Sequence, residues 1–136
     1  MNIDFVRYLV GFNHGADLFQ CMGVDFFNRS VSYAVDRIED QPDGSVTKEV
    51  DIKTACLDDV VLYPFTGIVD RDGSFEYEGS IWLVDSEIPP IRAVCIYDIL
   101  YSMYRLVDLA TMNNINKVTA LRCGRIVSHN HVKVKM

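Results

Sequence analysis

The sequence predicts an α+β domain: antiparallel β-hairpins packed on one long helix in the C-terminal half, with a short helical segment at the N-terminus. Three observations predict it. Two turn signatures, Gln41-Pro42-Asp43-Gly44 and Asp70-Arg71-Asp72-Gly73, each separate runs rich in β-branched and aromatic residues. From Ile91 the apolar residues take on a helical period. The 136 residues are near the modal size of one domain, and no repeat or linker divides them, so a single domain over 1–136 is expected.

Taken in order, Phe5, Val6, Leu9, Val10 and Phe12 suit a short helix, interrupted at Asn13-His14-Gly15, with a further helical turn through Cys21. Residues 30–39 alternate, with Val31, Tyr33 and Val35 against Ser32, Ala34 and Asp36, and 45–53 alternate again. Pro42 presets φ and Gly44 takes the positive-φ place, so the two runs form a hairpin. A second hairpin joins 60–69 to 74–84. Pro89-Pro90 closes the β region, and Pro90 stands where a helix can start. The stripe Ala93, Ile96, Tyr97, Leu100, Met103, Tyr104, Val107 and Ala110 predicts a helix from Ile91 to about Asn113. Strands are expected at 117–127 and 130–136.

That helix reads as apolar nearly all round. Its spare face, with Val94, Ile99, Tyr101 and Leu109, is therefore expected to pair with a second copy in a homodimer.

Composition excludes several classes. Apolar residues make up 49% and charged residues 24%, the balance of a packed globular chain rather than a disordered one. Charge interrupts every apolar run before the roughly 18 residues of a membrane span. The N-terminus lacks the basic start of a signal peptide, and Cys21, Cys56, Cys95 and Cys123 are far apart in sequence. The expectation is free thiols and a cytoplasmic location.

The net charge of −6 is unevenly spread. Residues 36–87 carry 14 acids against four bases, whereas residues 88–136 carry seven bases and two acids. Such asymmetry orients a protein toward a charged partner. A sequence pI near 4.9 argues against nucleic acid, in spite of the basic C-terminal residues.

Chemical motifs are sparse. His129 and His131 are two apart, so on a strand both imidazoles share one face, with His14 or Cys123 a further donor. A bare H-x-H lacks the ligand spacing of a structural zinc site, and no metal or other cofactor is expected. Asp70-x-Asp72-Gly73 fails as a calcium loop, because the fifth, sixth and twelfth positions are Ser74, Phe75 and Ile81. No nucleophile elbow, dinucleotide fingerprint or phosphate loop is present.

One stretch is familiar. Phe65-Thr66-Gly67, Asp70, Gly73 and Tyr77-Glu78-Gly79-Ser80-Ile81 resemble the aromatic-T-G-x-x-D-x-x-G-x-x-x-Y-E-G-D-I signature of YopX-like proteins, a family carried by phages and prophages. The departure is Ser80, where the family has Asp. The resemblance covers about an eighth of the chain, implies origin in a mobile element and carries no catalytic residue with it.

The reading that follows is a non-enzymatic interaction module of phage or prophage type. It would bind a host protein with a basic surface through an acidic β-face of Asp58, Asp59, Asp70, Asp72, Glu76 and Glu78, as inhibitor or regulator, in the host cytoplasm. The alternative is a small enzyme, or a small-ligand or metal binder, using His129, His131 and Cys123.

Overall fold

A computed structural model describes residues 7–86 and 88–131. The chain divides into two compact units, one ending at Leu62 and the other starting at Tyr63.

Four strands build the first unit: β1 (Tyr8–Phe12), β2 (Leu18–Asp25), β3 (Ser30–Asp40) and β4 (Val46–Cys56), in the spatial order β4-β3-β2-β1. The helix expected between Phe5 and Cys21 is instead β1 and β2, paired antiparallel with Val10 opposite Phe19; Phe5 and Val6 lie outside the described residues. Phe12 and Phe19, from the stretch expected to be helical, gather with Tyr33 of β3 on one sheet face. Phe12 meets Phe19 and Tyr33 edge to face and Phe19 meets Tyr33 at a tilt, with centroids 5.2–6.0 Å apart, on the sheet that also buries Val10 and Val31. The first hairpin forms as expected, β3 against β4, with Gly44 at φ +87° in its turn. A 3-10 turn, Leu57–Asp59, leads into β5 (Val60–Val69).

The second unit takes in most of β5, then β6 (Phe75–Tyr77), β7 (Ser80–Val84), β8 (Ile91–Asp98), β9 (Met103–Asp108), β10 (Asn114–Ile115), helix α1 (Lys117–Cys123) and β11 (Gly124–His129). β5 and β6 pair antiparallel across the Asp70–Gly73 turn, with a register shift where Gly67 takes φ +95°. A five-stranded sheet has the order β10-β9-β8-β7-β11.

The expected α+β class is overturned here, because the described residues are mostly antiparallel strands and hold no long helix. Residues 91–112 form strands β8 and β9, paired Val94 to Val107 and Cys95 to Leu106. The middle of each strand is apolar on both sides because Ala93, Val94, Cys95, Leu106 and Val107 are buried on the two faces of this sheet, whereas Tyr97, Ile99, Leu100, Tyr101 and Met103 around the connecting turn are exposed. Ala93, Cys95 and Leu106 point to one core with Trp82, Val84 and Ala120, while Val94 and Val107 point to another with Ile81. A two-sided apolar strand pair and an all-round apolar helix share one composition; the β-branched Ile91, Val94, Ile96 and Val107 favour the strands. Asp98 starts the turn between them, its Oδ1 accepting from the Leu100 amide at 3.0 Å.

The expected strand 117–127 is also corrected in its first half. Asn116 caps α1, its side chain accepting from the Val118 amide at 2.9 Å. Gly124 ends the helix, and a Cβ there would stand 2.8 Å from the Ala120 carbonyl oxygen. The expected strand 130–136 falls outside the described residues from position 132. Among the described residues no helix is long and apolar enough to cross a membrane.

Candidate functional site

The six acids expected on one binding face do different things. Asp58 and Asp59 belong to the first unit and the other four to the second. Asp58 is exposed and ion-paired with Arg29, whose hydrogen bond holds the carboxyl below its usual range. Asp59 offers its carbonyl to the Asn13 amide at 3.0 Å. Asp72 is exposed in the turn, and Glu78 is half-buried.

Asp70 and Glu76 are buried inside the second unit, not on an open face. Asp70 Oδ1 accepts from the amides of Asp72 and Ser74, and its Oδ2 accepts from the Ile126 amide at 2.9 Å. The carboxylate therefore closes its own turn and ties that turn to β11. Glu76 accepts from Thr66 Oγ1 at 2.7 Å and from Trp82 Nε1 at 2.5 Å, and Lys117 Nζ reaches both its oxygens at 2.7 and 2.6 Å. Lys117 Nζ also stands 5.5 Å from the Trp82 ring centroid. These contacts satisfy a buried charge, as its desolvation requires.

The histidines do come together, around Tyr63. Its ring centroid lies 4.4 Å from that of His129 and 5.5 Å from that of His131. His129 Nε2 donates to the Glu78 carbonyl at 2.7 Å, and its Nδ1 accepts from the His131 amide at 2.9 Å. Both bonds together require the neutral ring with hydrogen on Nε2. Burial, opposed by the Glu78 bond and aided by His131, lowers the His129 pKa. Tyr63 Oη is 2.8 Å from His131 Nδ1, while His131 Nε2 is buried without a partner among the described residues. With both nitrogens of His129 engaged, the two imidazoles do not converge on one ion. Cys123 ends α1 and packs against the Trp82 core. Burial pushes the Cys95 thiol up to about 12, and all four cysteines are free.

The residues expected at a dimer interface are likewise redistributed. Val94 is buried in its own sheet, and Leu109 packs against that cluster. Ile99 and Tyr101 are exposed in the β8–β9 turn. The helical face on which they were placed together does not exist.

A different surface stands out in the first unit. Residues opposite one another in β3 and β4 share a face. The pairs Ala34–Ile52, Asp36–Val50, Ile38–Lys48 and Asp40–Val46 lie on one side of the hairpin. That side shows Ile38, Val46, Val50 and Ile52 at 67%, 60%, 56% and 55% exposure. The pairs Val35–Asp51, Arg37–Glu49 and Glu39–Thr47 lie on the other. There Arg37 alone serves three carboxylates, those of Glu39, Glu49 and Asp51. On the apolar side Lys48 pairs with Asp36 at 3.4 Å. A shallow cleft of about 670 Å³ adjoins it, lined in part by Leu18, Gln20, Ala34, Asp36, Lys48 and Val50. Sequence reasoning found the hairpin but placed the binding face on other acids, not on this side of it. The signal was present in the acids interleaved with its apolar positions, which would be costly to bury unpaired.

No family model matches the chain. No curated protein matches it either. Among solved structures, the crystal structure of protein EF1440 from Enterococcus faecalis is similar over 93% of this chain and 94% of that one, with a TM-score of 0.58 and 13% identity. At that identity the likeness shows a common fold and nothing of activity. None of these findings attaches the chain to phages, to inhibition or to homodimer formation.

Proposed function

We propose that the chain is a non-enzymatic protein-interaction module that engages a partner with a basic surface through the β3–β4 hairpin. The observation that carries this reading is the row of Ile38, Val46, Val50 and Ile52 on one exposed side of a hairpin with six acids and three bases over residues 30–56. Exposed apolar side chains aligned on one face gain most from being covered, and surplus carboxylates at their rim select cationic partners. The acidic binding side moves from the loops around Asp58 and Asp70 to this hairpin. Four free thiols suit the reducing cytoplasm as the place of action.

Capture on immobilised protein tests the reading, with an Ile38→Ser/Val50→Ser double variant beside the unaltered chain. The expected result is a basic protein retained from bacterial lysate by the unaltered chain and lost from the variant. Equal retention by both, or by neither, overturns the reading.

A further inference from the structure

Among the described residues the β3–β4 hairpin also has an open long edge. β4 pairs with β3 and ends the strand order of its sheet. The ladder runs through eleven pairs, from Ser30–Cys56 to Asp40–Val46, without a register shift. The strand contains no proline, and no bulge interrupts the pairing, so it lacks two of the usual devices that blunt an edge.

The phase of the ladder shows which backbone groups are unpaired. The Gln41 amide donates to the Ser45 carbonyl at 2.8 Å, so residues 41 and 45 form a hydrogen-bonded pair. Bonded and non-bonded pairs alternate in an antiparallel ladder. Residues 47, 49, 51 and 53 therefore bond to β3, while Val46, Lys48, Val50 and Ile52 turn their N–H and C=O groups outward. These four are also residues of the apolar side.

We propose that β4 is a docking edge for an extended segment of a partner protein whose side chains alternate apolar and basic, added as a further strand. This rests on the reading of the hairpin as an interaction surface and specifies its occupant. A strand laid along β4 places alternate side chains on opposite faces. On one face they lie beside Val46, Lys48, Val50 and Ile52, three of them apolar and Lys48 paired with Asp36, which favours apolar residues. On the other they lie beside Thr47, Glu49, Asp51 and Lys53, where the carboxylates of Glu39, Glu49 and Asp51 outnumber the cations of Arg37 and Lys53 and the local charge is negative. Lysine or arginine at those places neutralises the surplus. An acidic or uniformly polar strand has neither match.

The test uses an eight-residue peptide alternating valine and lysine, with a scrambled control and a form N-methylated at alternate amides. Binding is followed by amide resonances and hydrogen exchange of the full chain. The expected result is saturable binding that slows exchange at the amides of Val46, Lys48, Val50 and Ile52. Lys48→Pro removes one outward N–H while leaving the apolar row and the β3 ladder; it should weaken binding at least tenfold, as should N-methylation. Glu49→Gln/Asp51→Asn, which leaves every edge amide in place, should weaken binding several-fold and flatten its salt dependence. No binding, or binding equal to the scrambled control, overturns the proposal. Binding that survives Lys48→Pro but not Ile38→Ser/Val50→Ser also overturns strand addition, while leaving the interaction reading standing. Self-association of the protein alone that Lys48→Pro abolishes makes a second copy the occupant and overturns the partner assignment. If the peptide fails and lysate capture still depends on Ile38 and Val50, only the edge mode is lost.

Discussion

His129 occupies the space that a side chain on Gly79 would fill: a Cβ built there would stand 2.5 Å from His129 Cε1 and 2.6 Å from Nε2. Gly79 also holds φ +91°, donates its amide to the Cys95 carbonyl at 2.8 Å and accepts from the Asn130 amide at 2.7 Å. The Tyr77-Glu78-Gly79-Ser80 stretch thus turns the chain between β6 and β7 and seats the imidazole in one step. Gly79→Ala must pay twice, for the left-handed backbone and for the displaced ring. The expected loss is about 2 kcal/mol or more in urea-induced unfolding. Gly44→Ala, with a similar φ and nothing within 4 Å, should cost about 1 kcal/mol. Equal losses at the two positions would contradict the packing role of Gly79.

The neutral state of His129 carries a pH dependence. Its folded pKa lies below the ordinary value, because burial disfavours the charged ring. Above the unfolded value of about 6.5 both states are neutral and the group costs nothing. As pH falls through that value the unfolded chain takes up a proton first, so stability declines until the folded pKa is passed. The urea midpoint should therefore fall between neutral pH and the onset of carboxylate titration. In His129→Asn that part of the profile should flatten, on a lower baseline. An unchanged slope in the variant would remove His129 as its cause.

Glu76 and Lys117 should behave as a buried pair whose members cannot be removed singly. Lys117→Met strands a carboxylate with no exposure beside Trp82 and should cost about 3 kcal/mol, toward the low end for such pairs because the Lys117 side chain keeps 28% exposure. Glu76→Gln/Lys117→Met leaves a neutral amide for Thr66 and Trp82 and should recover part of that loss. The check is denaturant unfolding followed by Trp82, the sole tryptophan. A double variant as unstable as the sum of the singles would refute the coupling.

Asp70 is expected to be structural rather than a binding residue. Asp70→Ala leaves the amides of Asp72, Ser74 and Ile126 without their acceptor and should cost about 2–3 kcal/mol. Asp70→Asn keeps one acceptor oxygen and should cost less. Exposed Asp72→Ala should lie within about 0.5 kcal/mol of the unaltered chain. Thermal unfolding of the three variants checks the order.

The sequence by itself determined the two hairpin turns, because Pro42, Gly44, Asp70 and Gly73 act within four residues and need no distant partner. It also determined the alternation of β3 and β4, including the acids among their apolar residues. Only the tertiary structure decided that residues 91–108 are two strands, since the pattern of an apolar run with no polar face suits a buried helix as well as a buried sheet, and the β-branched Ile91, Val94, Ile96 and Val107 only tilt the balance. The same holds for the acids. Asp70 and Glu76 are indistinguishable in sequence from solvated neighbours, and their burial depends on Ile126 and on Lys117, 56 and 41 residues away. The exposure of Ile38, Val46, Val50 and Ile52 was hidden for the converse reason. Period-2 alternation shows which side chains share a face, but whether anything covers that face depends on residues far away in the chain.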